Sequence, residues 1–415
     1  MRQISGLRQR IGVFQWRGNF MGNNMRHWRI GVLLVLVLVL AGMLGFFTLG
    51  SGIAERGLNH VVPHQPYPVS DKAEKLHASL VIGDWHADSL MWSRDLLKRY
   101  KRGQVDFPRL AEGNVAVQVF TTVTKSPAGL NYQENPANAR DNITLVALGQ
   151  LWPVRTWTSL TERALFQSEK LQDFERRAPE VLKIIRTKAD LQAVLAARAE
   201  GKPLIGAILG VEGGHALDGD IANLDRLYDA GFRLIGLTHF FDNALGGSLH
   251  GQSGAGLTDF GRQVVVEMEK RHMIVDLAHT SPRLAADVLA MGKTAPIVSH
   301  TGIHGHCPVK RNFPDDLMQA IAAKGGLIGI GYWGDVTCDP SPDGVAKTIV
   351  AAIDLVGVDH VSLGSDFDGS VETTFDTSEL AALTDALMRQ GLSDADIAKV
   401  MGGNMMAFLA NALPQ

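Results

Sequence analysis

Cysteine is nearly absent: Cys307 and Cys338 are the only two in 415 residues. The chain therefore closes at most one internal disulfide, which an exported location would favour, and otherwise keeps two buried thiols. A net positive charge is also missing from the sequence beyond its first 29 residues. Six arginines (Arg2, Arg8, Arg10, Arg17, Arg26, Arg29) fall within residues 1–29, and without them the formal net charge of −3 becomes about −9. That mildly acidic remainder offers no surface to nucleic acid. No Gly-x-Gly-x-x-Gly turn follows the first apolar run of the body, which argues against a doubly wound open sheet. Internal repeats and low-complexity tracts are missing too. What is present, at 46% hydrophobic and 20% charged residues, is enough apolar material for a large core.

The arginine block contains no acid, and from Ile30 to Leu49 it is followed by twenty residues without a charge. Such a run spans a bilayer, and the arginines would stay on the cytoplasmic side, sending everything after residue 50 across. A cleaved signal peptide is the competing reading, but the run is long for one and no clear Ala-x-Ala site follows it. Met21 or Met25 would serve as the first residue as well as Met1. The expectation is a single-pass membrane protein. It has a basic cytoplasmic segment at 1–29, a transmembrane helix at 30–50, a Pro-bearing linker at 51–79 and an extracytoplasmic domain at 80–415.

Within that domain, short apolar runs at 80–83, 115–121, 204–211, 234–237, 273–277, 297–299, 327–331 and 361–364 alternate with helical stretches. The helices read at 221–230, 259–271, 282–291, 314–323, 344–356, 378–389 and 394–409. Short uninterrupted apolar runs are the mark of parallel strands covered on both faces, and Thr258, Ser281 and Ser393 stand where helix N-caps are needed. Eight strand-plus-helix units predict an α/β fold, a (β/α)8 TIM-type barrel, whose reactive groups gather at the carboxyl ends of the strands. The stretch 122–203 is too long for one connection and reads as inserted helices at 139–151, 160–177 and 188–200.

The residues that end the runs are not a random polar set. One run breaks off at Glu212-Gly213-Gly214-His215, and another leads into Asp84-Trp85-His86-Ala87-Asp88. Others lead into Thr238-His239, Asp276-Leu277-Ala278-His279, Ser299-His300 and Asp366-Phe367-Asp368. His86 and Asp88, two apart on an extended segment, face one way and suit one divalent ion. His279 and His300, on neighbouring strands, suit a second, and Glu212 can bridge the two with one oxygen to each. Imidazole plus carboxylate, with no thiolate, favours zinc or its neighbours. Two metals sharing a water make hydroxide available near neutral pH and polarise a carbonyl, so hydrolysis is the predicted chemistry. Asp366 is read as the group that takes the water's proton and passes it to a leaving amine, the alternative being a turn cap. His239, with no evident metal partner, is read as a donor to the oxyanion. Arg311 has two open readings: a bidentate partner for a substrate carboxylate, or an ion pair with Asp315 or Asp316 at a helix start.

These residues resemble the membrane dipeptidase (renal dipeptidase) family. The motifs that carry the resemblance are Asp84-Trp85-His86-Ala87-Asp88, Gly210-Val211-Glu212-Gly213-Gly214-His215, Leu237-Thr238-His239, Gly256-Leu257-Thr258-Asp259-Phe260-Gly261, Val275-Asp276-Leu277-Ala278-His279, Ser299-His300, Lys310-Arg311-Asn312-Phe313-Pro314-Asp315-Asp316 and Gly364-Ser365-Asp366-Phe367-Asp368-Gly369. All fall in the family's order, over residues 80–409. The resemblance implies a barrel with two zinc ions, His86, Asp88 and Glu212 on one and Glu212, His279 and His300 on the other. It implies that His239 and Arg311 contact substrate, that Asp366 handles the proton, and that Cys307 and Cys338 are joined. The implied activity is hydrolysis of dipeptides, with D-residues tolerated at the carboxyl-terminal position; some members of the family also open β-lactam rings. An amidohydrolase for N-acyl amino acids or another small amide is the alternative activity, and a binding protein that keeps the fold without catalysis is a third reading.

The sequence departs from the family pattern in three places. Gly331-Tyr332-Trp333-Gly334 replaces the usual Asn-Phe, the loop from Phe240 to Gly247 matches only at Asn243, and Ala407 stands where Arg is usual. These changes are expected to alter pocket shape and not metal ligation. Members of the family are elsewhere lipid-anchored at the carboxyl end; here the amino-terminal helix is expected to serve as anchor. A homodimer stays open.

Overall fold

The computed structural model describes residues 20–292 and 295–415, with side chains from residue 25. Arg2, Arg8, Arg10 and Arg17 of the basic segment lie outside the described residues. By compactness the chain divides after Gly50. The first unit is the helix Phe20–Gly45 with a π-turn at Phe46–Gly50. Its 26 residues run for about 39 Å, more than the hydrocarbon thickness of a bilayer, and every side chain from Leu33 to Leu40 is exposed. The helix is long and apolar enough to cross a membrane, a description that a signal sequence also meets.

The second unit, Ser51–Gln415, is built on nine strands: β1 (Ile82–Ala87), β2 (Val115–Val123), β3 (Leu182–Ile184), β4 (Ile205–Glu212), β5 (Phe232–Gly236), β6 (Ile274–Asp276), β7 (Ile297–Thr301), β8 (Leu327–Ile330) and β9 (Val361–Leu363). All pair in parallel. Eight of them close a ring in which β2 lies between β1 and β4, with Val117–Val123 beside Gly206–Glu212. In the same ring β9 lies between β8 and β1, with Leu363 beside Asp84. This is the (β/α)8 barrel that the eight apolar runs predict.

Strand β3 pairs only with the start of β4. The sequence reading has no strand there, because three residues carry too short a pattern. It sits in the long insertion together with the helices Ile143–Gly149, Leu160–Arg177 and Lys188–Ala199. Several runs also stop too early in the sequence reading: β1 continues through Asp84-Trp85-His86, and β7 includes His300. Hydropathy marks only the apolar part of a strand, whereas the hydrogen-bond ladder continues through polar residues at the barrel mouth.

The three caps form as expected, Thr258, Ser281 and Ser393 accepting from the backbone N–H of Gly261, Leu284 and Asp396. The helix expected at 394–409 is instead two helices, Asp394–Ala398 and Asn404–Ala412, parted by a π-turn in which Gly402 is non-helical. Residues 51–79, read from the sequence as a linker, are folded onto the barrel. They form the helices Ser51–Leu58 and Asp71–Ser79, Glu55 is buried, Ser70 Oγ donates to Asp385 Oδ1 at 2.6 Å, and Val61 pairs with Thr373. Their partners lie far along the chain, so prolines and mixed polarity are all that the local sequence displays. Cys307 and Cys338 are joined, with Cα atoms 5.7 Å apart, and tie the loop after β7 to the loop after β8.

Candidate active site

Glu212, the last residue of β4, is the point on which the strand ends converge. Its Oε1 lies 3.5 Å from His86 Nε2, 3.2 Å from His279 Nε2 and 3.5 Å from His300 Nε2, and its Oε2 lies 3.3 Å from His239 Nε2. Asp88 Oδ1 is 3.5 Å and Asp366 Oδ1 3.8 Å from His86 Nε2. All seven side chains are buried. Three subsets bring their donor atoms close enough to share an ion: His86, Glu212 and His300; Glu212, His239 and His279; His86, Asp88 and Asp366. His239, which has no evident metal partner in the sequence reading, therefore belongs to a group with Glu212 and His279.

Local backbone geometry turns these groups inward. After Glu212 the chain turns at Gly213 with φ 97°, where a Cβ would stand 2.2 Å from His215 Cε1, so only glycine fits. His279 and Asp366 adopt left-handed φ values of 63° and 61°. For a residue with a side chain this costs about 1–3 kcal/mol and is a common feature of functional turns.

Ser299 and Asp276 orient two of the imidazoles. Ser299 Oγ lies 2.6 Å from Asp276 Oδ2, 3.2 Å from His86 Nδ1 and 2.8 Å from His300 Nδ1. The hydroxyl has one proton, which goes to the carboxylate, so it accepts from both rings. Each ring therefore carries Nδ1–H and turns Nε2 towards Glu212, as a metal-ligating histidine does. Thr121 donates in the same supporting way to Asp88 Oδ1 at 2.6 Å. Sequence reasoning noted Ser299 and Asp276 among the strand-end residues but gave them no part.

The electrostatics call for a cation. Burial opposes charge on His86, yet the carboxylates of Glu212, Asp88 and Asp366 outweigh it and lift the imidazole to about 10. Positive charge is thus favoured at a fully buried Nε2 that has no hydrogen-bond partner among the described residues, and a divalent ion held by these residues would supply it in place of a proton. Burial holds His279 and His300 well below the usual histidine range, so both are neutral. Burial, with Asp88 adding, pushes Glu212 well above the usual carboxyl range. Asp366 is pushed by burial up to about 7, His86 opposing and Asp88 adding. Neutral imidazoles and crowded carboxylates fit zinc.

Arg311 completes the site on one side. It is 1% exposed, donates through Nη2 to His300 O at 3.0 Å and lies with its guanidinium carbon 5.6 Å from the centre of the Trp333 ring. No carboxylate lies within ion-pair distance of it among the described residues. Asp315 and Asp316 accept instead from the N–H groups of Gly305 and Leu317, so the ion-pair reading of Arg311 does not hold. A buried guanidinium without a counter-charge is costly, and a ligand carboxylate would relieve it.

The cavity between these groups measures about 90 Å³, and Asp88, Glu212, His239, Arg311 and Asp366 line it together with Tyr132 from the insertion. Tyr132 OH accepts from Trp333 Nε1 at 3.0 Å, Asn135 N donates to His250 O at 2.8 Å and Lys310 Nζ donates to Gln133 O, which pins the insertion over the cavity. No motif in the sequence marks Tyr132; its place in an oversized connection after a barrel strand is the only signal. Two of the three departures from the family pattern border the site, through Phe240 and Trp333. Ala407 does not. It lines a separate cavity of about 530 Å³ at the amino ends of β6 and β8, beside Ile274 and Leu327, so the expectation that it shapes the substrate pocket is corrected by its position at the opposite end of the barrel.

A family model described as membrane dipeptidase (peptidase family M19) matches residues 70–412. Dipeptidase aclJ of Aspergillus oryzae is 28% identical over 368 residues, which are 81% of this chain and 79% of that protein. Among solved structures, dipeptidase AC, a metallopeptidase of family M19, superposes with a TM-score of 0.67 at 24% identity, over 81% of this chain and 100% of that one. A metallopeptidase from Rhodobacter sphaeroides, liganded with a phosphinate mimic of the dipeptide L-Ala-D-Ala, superposes with a TM-score of 0.64 at 24% identity, over 80% of this chain and 99% of that one. At such identities the two structures speak to the barrel alone.

Proposed function

The chain belongs to the membrane dipeptidase family, peptidase family M19, and from that premise we propose that it is a dinuclear zinc dipeptidase. In this reading it accepts D-residues at the carboxyl-terminal position and is held by an uncleaved amino-terminal helix with its barrel outside the cytoplasm. Membership makes it a metallopeptidase that hydrolyses the peptide bond of dipeptides.

The observation that carries the finer reading is the ring of imidazoles and carboxylates around Glu212. His86, Asp88 and Glu212 would hold one zinc ion, and Glu212, His279 and His300 the other. Zinc bound there supplies Lewis acidity towards the carbonyl oxygen and lowers the pKa of water. The other tasks fall to side chains. Arg311 receives the substrate carboxylate, whose charge answers its own. Burial takes His239 down to about 4, so its ring carries a single proton; in the tautomer that places it on Nε2, giving up the long 3.4 Å contact of Nδ1 with Lys125 O, His239 donates to the carbonyl oxygen as negative charge develops. Asp366, poised near 7, takes a proton from the attacking water and returns it to the leaving nitrogen. The insertion pinned over a cavity of about 90 Å³ is the support for a preference for dipeptides over longer peptides, and the D-residue preference extends to this chain what the Rhodobacter sphaeroides protein was captured with.

Arg311→Met is expected to raise KM for a dipeptide by about 10- to 100-fold, since a charge-assisted hydrogen bond is worth about 1.5–3 kcal/mol, with a smaller change in kcat. The same variant is expected to treat dipeptide amides as the parent does, which steady-state kinetics on the two substrate series will check.

The reading as a whole is tested on full-length protein in detergent, stripped by a chelator and titrated with zinc. Activity on L,L- and L,D-dipeptides is expected to return with about two ions per chain, while tripeptides stay uncut. Turnover confined to N-acyl amino acids would replace the dipeptidase with the amidohydrolase. Full activity after complete chelation would remove the metal from the reading.

A further inference from the structure

Buried charges with no part in the chemistry above link the helix Ser51–Leu58 to the loop that carries Asp366. Glu55 is 0% exposed; its Oε2 accepts from Arg102 Nε at 2.6 Å and its Oε1 accepts from Arg94 Nε. The Arg94 guanidinium goes on to donate to Val105 O at 2.6 Å and to Asp368 Oδ2. Asp368 is held further by Ser89 Oγ at 2.6 Å and by Gln104 N at 2.7 Å. The backbone makes room for this arrangement: a Cβ on Gly103 would stand 2.4 Å from Arg94 Cζ.

A second tie runs alongside. Ser370 N donates to Asn59 Oδ1 at 2.8 Å, Val62 N to Thr373 O at 2.8 Å and Thr373 N to His60 O at 3.0 Å. Through these ties and just before them the chain passes Asp366, Asp368 and Ser370, all left-handed with φ values of 61°, 62° and 67°. Three such residues in so short a stretch are an unfavourable path, which persists only where surroundings over-determine it. Residues 55–62 supply part of those surroundings, Asn59, His60 and Val62 directly and Glu55 through Arg94.

We propose that Glu55, Arg94 and Asn59 are positioning residues for the reaction, holding through Asp368 and Ser370 the loop that aims Asp366. The segment that follows the apolar helix is then a working part of the active site and not a spacer. This inference rests on the reading of Asp366 as the group that moves the proton. A displacement of about 1 Å in such a group is enough to cost about 100-fold in rate, and the loop is also anchored next to Asp366 by Ser365, which donates to Asp84 Oδ2 and His86 O at 3.0 Å.

The test uses full-length, zinc-loaded protein in detergent. Glu55→Gln keeps volume and one acceptor oxygen while removing the charge. It is expected to lower kcat about tenfold or more, with KM within about twofold and zinc content unchanged. Asn59→Ala cuts the second tie and is expected to act in the same direction; should Glu55→Gln not fold, Asn59→Ala carries the experiment. Each change is then combined with Asp366→Asn. In that background it is expected to alter the residual kcat by less than about twofold, because residues acting as a unit are not additive, whereas general structural damage would lower kcat in both backgrounds alike. Folded variants with parental kcat, or effects that multiply with Asp366→Asn, would overturn the proposal. If Asp366→Asn alone is fully active, the reading of Asp366 fails instead, and that result is visible before any combination is made.

Discussion

Protein carrying Glu212→Gln is expected to emerge from dialysis without most of its metal and with kcat/KM for dipeptides down by more than about 10⁴-fold. Oε1 of this carboxylate stands 3.2–3.5 Å from the imidazoles of three strands. An amide has one oxygen where the carboxylate has two, and its NH2 group would face ring nitrogens or cations. It would not serve two ions, and it would remove the charge on which the proposed pair depends. Metal analysis of parent and variant under the same dialysis gives the answer, and a variant that keeps both ions and turns over would take Glu212 out of the bridging role. One further outcome separates this from ordinary damage. Burial and neighbouring carboxylates raise the Glu212 pKa in the fold, so the folded state binds the proton more tightly than the unfolded one, and the ionised group weakens the metal-free fold as pH rises. Metal-free Glu212→Gln is therefore expected to melt no lower than metal-free parent at neutral pH.

Asp366→Asn is expected to behave in the opposite way towards metal. It should keep both ions and bind substrate with nearly parental KM while kcat falls by about 10²- to 10⁴-fold, the range of a lost acid–base group. Asparagine preserves shape and tolerates the left-handed backbone that Asp366 occupies, so the loop survives the change. What is lost is a carboxyl poised by burial near 7. Metal analysis beside steady-state kinetics checks this. Because Asp366 also groups with His86 and Asp88 around one potential ion position, loss of one ion in the variant would reassign it from proton carrier to ligand.

Glu212, His279 and His300 were legible in the sequence for a physical reason. A strand buried on both faces is apolar throughout, so the first ionisable residue at its carboxyl end stands out, and closing a parallel barrel brings such residues together. The exact ends of the strands were not legible, since ladder hydrogen bonds do not depend on side-chain polarity and β1 and β7 run on through His86 and His300. Tyr132 and Glu55 were hidden for a different reason. Tyr132 meets Trp333 across 201 residues, and Arg94, the partner of Glu55, meets Asp368 across 274. Each is polar in a polar neighbourhood and shows no periodicity. Ala407 illustrates the converse: a departure from a motif was visible, but which end of the barrel it occupied could only come from the fold.

Among the described residues, strand β9 is the only one that touches both β8 and β1, and it follows every other strand in the chain. On the ribosome, a nascent polypeptide that stops short of Val361 already contains every imidazole of the cluster, yet its sheet is open between β1, which bears His86, and β8, the neighbour of the strand that bears His300. Seating β9 closes that gap, and the loop that directly follows it sets Asp366 beside His86 in the cluster.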